Sequence, residues 1–387
     1  MRLKIYRLVT VVLVALVLLV TCIYLQNPDF HVYALQKQLE YKDRFGGQES
    51  IFDLMKEETD IVTGVGNEKL NSHLRVELPK DIDASEVEVE NDYLNQMVLI
   101  RIPGVDKSYV YDYPMIGRCD KITDVTYENV ASEGELAVKL DGAYMVSARN
   151  VDRYIYIDFV DLHKVYDKVV LVDAGHGGKD AGASKQGVDE KDVDLAILLE
   201  MKSIFDNYKK TDINDDANVS QEYKKVYDSG NMAKQNVSEY DLYGKRVGVF
   251  YTRTKDVAID VEQRSALANA LKADAFLSIH NNSTSSGRMS TINGTEVMYK
   301  VGDTSGKSKE FAQICLDKVL YKLQSSDKGL VAGDDIYIIR TAEMPVALVE
   351  VGFMTNQEEL DKLKDQNYQH ATAEALCDAL SATLIHF

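Results

Sequence analysis

In the second half of the chain, short apolar stretches alternate with segments of helical periodicity, and this rhythm constrains the fold more than any other feature. The apolar runs of strand length are residues 169–172, 247–251 and 275–279, and the segments with helical spacing are residues 193–205 and 261–271. Strands that alternate with helices are typical of an α/β domain. We therefore predict a mixed sheet flanked by helices over residues 166–387.

The preceding part of the chain has a different pattern. Between residues 51 and 165, short apolar runs are separated by Pro, Gly, Asp and Asn, which are strand and turn signals. The length of 387 residues suggests two or three folded units, at roughly 150 residues per domain. We predict a smaller, mostly-β domain over residues 51–165, ahead of the α/β domain.

A polar stretch interrupts the predicted α/β domain. Residues 206–245 are rich in Asp, Asn, Ser, Lys and Tyr and lack apolar periodicity. Loops of this length are uncommon inside a compact domain. We interpret the stretch as an insertion, which is either a tolerated surface loop or an element that gates a site or binds a partner.

The N-terminus has the pattern of a membrane anchor. Three basic residues in the first seven positions precede residues 8–25, an uncharged and mostly apolar run of 18 residues. Such a run spans about 27 Å as a helix, and the basic flank predicts that the rest of the chain lies outside the cytoplasm. We predict a transmembrane helix over residues 1–25 and a juxtamembrane spacer over residues 26–50. The alternative is a signal peptide whose cleavage releases a secreted protein.

Composition excludes several classes of function. The net charge is −18, and because the first 25 residues carry three basic and no acidic side chains, the remainder carries −21. A chain with this negative charge repels the phosphates of nucleic acids, so we expect no nucleic-acid partner. The four cysteines, Cys22, Cys119, Cys315 and Cys377, show no CxxC spacing. The sequence therefore encodes neither a zinc ribbon nor a disulfide framework, and any metal ion must use other ligands.

A glycine-flanked histidine follows the first strand of the predicted α/β domain. The motif DAGHGGKD, residues 173–180, places His176 between Gly175 and Gly177. Strand ends are where α/β folds display reactive groups. The glycines match neither the dinucleotide-binding pattern nor the P-loop, and small residues here favour the close approach of a ligand or substrate to His176.

A second histidine, His280, ends the apolar run of residues 275–279. Two strands that end in histidine suggest a shared metal ion. A catalytic zinc takes three protein ligands, drawn from imidazole and carboxylate groups, and keeps one position for water. A carboxylate is therefore needed as the third ligand. The candidates near His176 are Asp180, Asp189, Glu190 and Asp192, and their spacing does not choose among them.

A carboxylate inside an apolar strand is the fourth feature. Glu350 lies in the middle of the mostly apolar run of residues 344–356. An ionised carboxylate is costly in such a place. Proteins accept it where the group pairs with a cation, faces a metal site or has its pKa raised for acid–base chemistry. Beside two strand-end histidines, we interpret Glu350 as a functional carboxylate.

Five short motifs, in order along the chain, resemble the zinc-dependent N-acetylmuramoyl-L-alanine amidases of the type-3 family. They are DAGHGGKD at residues 173–180, EKDV at 190–193, YTRT at 251–254, SIHNN at 278–282 and VEVGFMTN at 349–356. The resemblance extends from about residue 169 to the C-terminus. It implies that His176, Glu190 and His280 bind one Zn²⁺ and that Glu350 is the catalytic carboxylate. The long insertion departs from the family pattern.

The resemblance also implies a function. Enzymes of this family hydrolyse the amide between N-acetylmuramic acid and L-alanine in peptidoglycan, a substrate that lies outside the membrane, where the predicted anchor puts the α/β domain. The alternatives are a non-catalytic wall-binding or regulatory protein on an amidase scaffold, and a zinc hydrolase that cuts another amide. Residues 51–165 weakly resemble the AMIN-type β modules that bind envelope polymers, with a plain spacer as the alternative. The expected partners are peptidoglycan and the membrane, and a regulatory protein partner is left open.

Overall fold

The structure, a computed structural model, describes residues 72–113, 115–117, 120–130, 133–208, 220–228 and 230–387. These residues form two compact units. The first unit contains the described residues up to Asp92, then Gln96–Val160 and Lys225–Gln235, and the second contains Tyr93–Asn95, Asp161–Lys224 and Asn236–Phe387.

Several predicted features lie outside the described residues. They are the transmembrane helix over residues 1–25, the spacer over residues 26–50, the first 21 residues of the predicted β domain, and the cysteines Cys22 and Cys119. Among the helices of the described part, none combines the length and the apolar character needed to cross a membrane.

The first unit is built mainly from two sheets. Its strands are β1 (Leu74–Glu77), β2 (Glu88–Asp92), β3 (Met97–Pro103), β4 (Ile116–Gly117), β5 (Ile122–Val130), β6 (Glu133–Leu140), β7 (Tyr144–Val151), β8 (Tyr154–Asp161) and β12 (Ala233–Lys234). One sheet has the order β4–β1–β8–β7 and the other β12–β2–β3–β6–β5. A 3₁₀ helix (Ala84–Glu86) and the short helix α1 (Tyr109–Asp112) connect strands. In β6 every second residue is buried, as expected for a strand with one face on the core.

A segment of the predicted insertion completes this unit. Strand β12 pairs in parallel with β2 at the edge of the five-stranded sheet. The side chain of Asn231 accepts a hydrogen bond from the Ala148 N–H at 2.8 Å and donates one to the Val146 carbonyl at 3.2 Å. Gln235 accepts from the Val146 N–H at 2.8 Å. Side-chain amides thereby satisfy backbone groups of β7, which is an edge strand of the other sheet.

Residues 206–245 therefore do not form one polar loop in their described part. They contain helix α4 (Gln221–Tyr227), strand β12 and strand β13 (Val237–Leu242). The sequence pattern misses these elements for a physical reason. Around β12, hydrogen bonds from side-chain amides to an edge strand leave no apolar period, so that segment has the composition of a loop. Helix α4 and strand β13 are short and bury only a few apolar residues each, among them Tyr223, Val226, Tyr240 and Leu242.

We expect Asn231→Ala to destabilise the first unit. Asn231 also donates to the Val226 carbonyl at 2.6 Å. Its loss removes the acceptor of the Ala148 N–H of β7, which costs about 1–3 kcal/mol. The measurement is the free energy of unfolding in urea. The control is Asn236→Ala, since Asn236 is exposed and makes one long hydrogen bond of 3.4 Å. Equal stability of the two variants would contradict a structural role for Lys225–Gln235.

The second unit is built on a seven-stranded mixed sheet. Its strands are β9 (Lys168–Ala174), β13, β14 (Lys245–Tyr251), β15 (Ala275–Asn282), β16 (Thr295–Tyr299), β17 (Asp327–Ala332) and β18 (Val346–Phe353), in the order β13–β14–β9–β15–β18–β16–β17. Strands β14, β9, β15 and β18 are parallel, whereas β13 and β16 run antiparallel to β14 and β18. A small hairpin, β10 (Ser184–Lys185) and β11 (Val188–Asp189), stands apart from this sheet.

Helices pack against this sheet. They are α2 (Leu162–Val165), α3 (Glu190–Asn207), α5 (Val261–Leu271), α6 (Lys307–Leu323), α7 (Tyr337–Thr341), α8 (Gln357–Leu363) and α9 (Gln366–His386). Helices α3, α6 and α9 bury Ile197, Phe311 and Leu376 in one core with alternate residues of the central strands. The predicted mixed sheet flanked by helices is confirmed for this unit. The buried cysteines Cys315 and Cys377 are free thiols in the α6 and α9 part of this core.

Candidate metal centre

Three neighbouring parallel strands carry the predicted site to one edge of the sheet. Strand β9 ends two residues before His176, β15 contains His280, and β18 contains Glu350. His280 pairs in register with Glu350, and Ile279 pairs with Ala174. Because parallel strands end at the same edge, these side chains converge although they lie far apart in the sequence.

The turn after β9 is held in an uncommon conformation. The backbone of His176 has a φ of 55°, in the left-handed region that non-glycine residues rarely occupy. Arg253 donates to the Gly175 carbonyl at 2.6 Å, and Arg264 donates to the carbonyl of His176. Arg264 also forms an ion pair of 2.5 Å with the fully buried Asp173. These buried contacts fix the loop and so the position of the imidazole.

Glu190 lies between the two imidazoles. It is the first residue of α3 and is 6% exposed. Its Oε1 atom is 3.1 Å from His176 Nε2 and 3.2 Å from His280 Nδ1. Its Oε2 atom accepts a hydrogen bond from the Ala183 N–H at 2.8 Å. One carboxylate therefore faces both histidines and is anchored by the backbone on its other side.

The loop before α3 passes close to these side chains at Gly182. A Cβ atom at this position would lie 2.6 Å from Glu190 Oε2 and 2.7 Å from the His176 ring, and the backbone φ is +64°. Both the space and the conformation therefore require glycine. Small residues around His176 therefore allow His176 and Glu190 to pack closely against the loop, and not only a ligand to approach.

The other carboxylates considered from the sequence occupy different positions. Asp180 Oδ2 lies 2.8 Å from Nδ1 of His176, the ring nitrogen that does not face Glu190. Asp189 accepts a hydrogen bond of 2.5 Å from Ser184, and Asp192 is exposed on α3. The structure thus brings Glu190 between the histidines and gives Asp180 the role of orienting His176. The assignment of individual metal ligands stays a prediction.

Asp194 is a member of the cluster that the sequence reasoning missed. Together with His176, Glu190 and His280 it offers ligand atoms that all lie within 4.8 Å of one another. It is fully buried on α3. Burial and the nearby charge of Glu190 hold the pKa of its carboxyl well above the usual range. The available signal was its spacing of four from Glu190, which places both residues on one helix face.

The charges of the cluster shift the pKa values of its members. Burial lowers the pKa of His176, but hydrogen bonds and charge from Glu190 and Asp180 outweigh this effect and raise the pKa to about 9. Burial disfavours the ionised form of Glu190, yet the two imidazoles hold its pKa well below the usual range. The cluster therefore stabilises an anionic Glu190 between groups that can carry positive charge.

Glu350 differs from Glu190 in its surroundings. Its Oε2 atom is buried without a hydrogen-bond partner. Burial, together with repulsion from Glu190 and Glu296, raises its pKa to about 7, while the imidazoles of His280 and His176 oppose the shift. A carboxyl with a pKa near neutrality can both accept and return a proton, which general acid–base catalysis requires.

The donor set fits a divalent metal ion such as zinc. Zinc bonds of about 2.0–2.1 Å in tetrahedral geometry separate donor atoms by about 3.3 Å. The two imidazole nitrogens lie 3.1 and 3.2 Å from Glu190 Oε1, close to that separation. Neutral imidazole and carboxylate are also ligand types that zinc accepts. The cluster of His176, Glu190, Asp194 and His280 can therefore hold a metal.

A pocket of about 330 Å³ opens onto this cluster and includes His176, Glu190, His280 and Glu350 in its wall. The rest of the wall is mixed, and its polar members include Asp180, Arg264, Asn281, Asn282 and Ser283. Its apolar members are Ile259, Val261, Met298, Ile336, Ile338 and Leu348. A pocket that combines apolar side chains with convergent polar groups is typical of a site that binds and orients a small part of a substrate.

The profile of the N-acetylmuramoyl-L-alanine amidase family matches residues 170–243 and 231–382. The chain belongs to this family. The predicted family and the predicted class of enzyme are thereby confirmed. The matched region contains His176, Glu190, His280 and Glu350.

Named relatives match the same share of the chain. The uncharacterized protein YqiI of Bacillus subtilis (strain 168) is 30% identical over 215 residues, which are 56% of this chain and 84% of that protein. The endolysin of Bacillus phage SPP1 is 29% identical over 56% of this chain and 66% of its own length. The amidase LytC of B. subtilis is 28% identical over 55% of this chain and 35% of its own length. A solved N-acetylmuramoyl-L-alanine amidase from Clostridium difficile 630 aligns at 26% identity with 56% of this chain and 97% of its own chain, with a TM-score of 0.44.

We expect the affinity of this family member for a divalent metal ion to rise with pH. His176 must be neutral to act as a ligand, and its pKa without metal is about 9. Below that pH binding releases a proton, so the dissociation constant falls by up to about tenfold per pH unit. The measurement is a competition titration with a chromophoric chelator at several pH values. Asp180→Asn removes one of the groups that raise the pKa of His176. In this variant the affinity for the metal ion should therefore level off at a lower pH. A pH-independent affinity would contradict this account.

Proposed function

We propose that this chain is a zinc-dependent hydrolase of the amide bond between N-acetylmuramic acid and L-alanine in peptidoglycan. The observation that carries the proposal is the placement of Glu190 Oε1 at 3.1 and 3.2 Å from the two imidazole nitrogens, with Glu350 directly across from His280 on the next strand. Membership of the amidase family supports the choice of bond. All four expected side chains are present in the site, which argues against an amidase scaffold that has lost its catalytic activity.

Each side chain has a defined task in this proposal. His176, Glu190 and His280 would hold the ion, and Asp180 orients His176 through its Nδ1 atom. Bound zinc lowers the pKa of a water molecule and polarises the scissile carbonyl. Glu350 takes the proton from the attacking water and returns it to the nitrogen of L-alanine as the C–N bond breaks. The apolar side chains of the pocket wall suit the methyl groups of the lactyl and alanine units.

The proposed location follows from the N-terminal sequence. We propose that residues 1–25 anchor the protein in the membrane, with the second unit on the extracytoplasmic side, where peptidoglycan lies. The support is the basic flank and the apolar run of 18 residues. Membrane fractionation of cells that express the full chain tests this location. Recovery of a soluble form that begins near residue 26 would instead support cleavage and secretion.

Digestion of purified peptidoglycan by the full chain tests the proposed reaction. The expected products are stem peptides with a free L-alanine amine, identified by mass spectrometry, and the reaction should stop with a chelator and resume when zinc is added. Products that result from cleavage of another amide would show that the enzyme hydrolyses that bond and not the proposed one. Hydrolysis that is unaffected by metal removal would refute the proposed mechanism.

A further inference from the structure

A buried polar pair, Asp194 and Asn281, lies next to Glu190 and His280. Asp194 on α3 is fully buried and Asn281 on β15 is 1% exposed. The Asn281 Nδ2 atom donates a hydrogen bond of 2.7 Å to Asp194 Oδ1. The family comparison and the proposed reaction give this pair no role.

Asn281 holds two carboxyl groups on consecutive turns of α3. Its backbone N–H donates to Glu190 Oε1 at 3.0 Å, while its side chain donates to Asp194, one helical turn further along. Asn281 directly follows His280 on β15, and both residues line the pocket. The Asn281 side chain reaches α3, the helix that supplies Glu190.

The pair also carries polar atoms that the fold leaves unsatisfied. In the described part of the chain, six buried side-chain atoms have no hydrogen-bond partner, and three of them are Asp194 Oδ2, Asn281 Oδ1 and Glu350 Oε2. Each such atom costs about 1–3 kcal/mol. Half of these atoms thus belong to one corner of the molecule, and unsatisfied polar groups concentrate where function requires them.

We infer that Asp194 and Asn281 are positioning residues that fix the distance between Glu190 and His280. This inference rests on the proposed function because the distance matters for a shared metal ion. In this inference Asp194 acts through the hydrogen bond that its Oδ1 accepts from Asn281, because Glu190 Oε1 already faces both imidazoles. Ligation through the unpartnered Oδ2 of Asp194 is the alternative that the variants below distinguish. The hydrogen bond ties α3 to β15 next to Glu190 and His280.

The test is the zinc affinity of the purified full chain, measured by competition with a chromophoric chelator, together with the absorption spectrum of the Co²⁺-loaded protein. Asp194→Ala and Asn281→Ala should each weaken zinc binding by about 10–100-fold, the usual effect of losing an outer-shell partner, and should alter the Co²⁺ spectrum. Asp194→Asn keeps the acceptor oxygen and the volume, and its affinity should stay within a few-fold of the unsubstituted chain. The control is Thr383→Ala, which removes the buried hydroxyl of a residue on α9 and should leave the affinity unchanged.

If an alanine variant does not fold, two variants that conserve side-chain volume test whether the hydrogen bond between Asp194 and Asn281 sets the zinc affinity. Asn281→Asp sets two carboxyl groups against each other and should weaken binding, whereas the exchange Asp194→Asn with Asn281→Asp restores a donor facing an acceptor and should recover it. Unchanged affinity in Asp194→Ala or in Asn281→Asp would overturn the inference. An equal loss in Asp194→Asn and Asp194→Ala would also overturn it, because Asp194 would then be a ligand. An unsubstituted chain that binds no zinc would instead refute the proposed function, and this inference with it.

Discussion

In Glu350→Gln, we expect kcat for peptidoglycan hydrolysis to fall by about 10²–10⁴-fold, the usual contribution of a positioned acid–base group, while zinc remains bound. Glutamine preserves the shape of the side chain but cannot accept a proton from water. The substitution leaves the three predicted ligands unchanged. Glu350 on β18 is paired with one of them, His280 on β15, but is not itself a predicted ligand. Initial rates of product release and the zinc content of the same sample, measured side by side, check both halves of the expectation.

The matched control for this prediction is another buried carboxyl of the same unit. Glu359 is 7% exposed and accepts hydrogen bonds from the Gly294 and Phe353 N–H groups. Burial raises its pKa as well, but it does not line the pocket of the metal cluster. Glu359→Gln should lower the free energy of unfolding and leave kcat within a few-fold. If Glu350→Gln hydrolysed the wall at the normal rate, the assignment of Glu350 as the acid–base group would be wrong.

In Glu190→Gln, we expect loss of the bound metal itself, and activity with it. Glu190 Oε1 is the atom that faces both imidazoles, and a neutral amide replaces the negative charge that it supplies. The effect on zinc affinity should exceed the roughly 10–100-fold typical of changes outside the ligand set. Zinc content after dialysis and a chelator competition titration measure it.

A control on the same helix separates this effect from a general loss of charge. Asp192 is exposed on α3, two residues after Glu190, and Asp192→Asn should bind zinc as the unsubstituted chain does. The comparison also tests the choice among carboxylates that sequence spacing left open. Normal zinc affinity in Glu190→Gln would mean that another side chain, with Asp194 the nearest candidate, supplies the third ligand.

Much of the site was predictable because it depends on strand ends. Each of these side chains is tied to an apolar run that the sequence marks as a buried strand: His176 follows one, His280 ends one and Glu350 lies within one. Parallel strands end at a common edge, so polar groups at those ends are expected to converge. The structure places the three strands side by side in the order β9–β15–β18. Periodicity and burial therefore suffice to group these side chains.

The choice among acidic residues was not predictable in the same way. Asp180, Asp189, Glu190 and Asp192 lie within 13 residues of one another, and spacing along a turn does not say which carboxylate faces an imidazole. The resemblance to a family pointed to Glu190, and the fold shows how it is oriented. Helix α3 begins at Glu190, and the Ala183 and Asn281 N–H groups hold its two oxygens.

The sequence by itself determined the α/β class of the second unit, the family and the strand-borne members of the site, because apolar periodicity and short ordered motifs are local properties. Only the tertiary structure decided that Asp180 orients His176, that Asp194 and Asn281 form a buried hydrogen bond, and that Lys225–Gln235 belongs to the first unit. Each of these depends on a hydrogen bond from one polar side chain to a group brought near by folding. Such bonds leave no periodic trace in the sequence, since either partner alone looks like an ordinary polar residue.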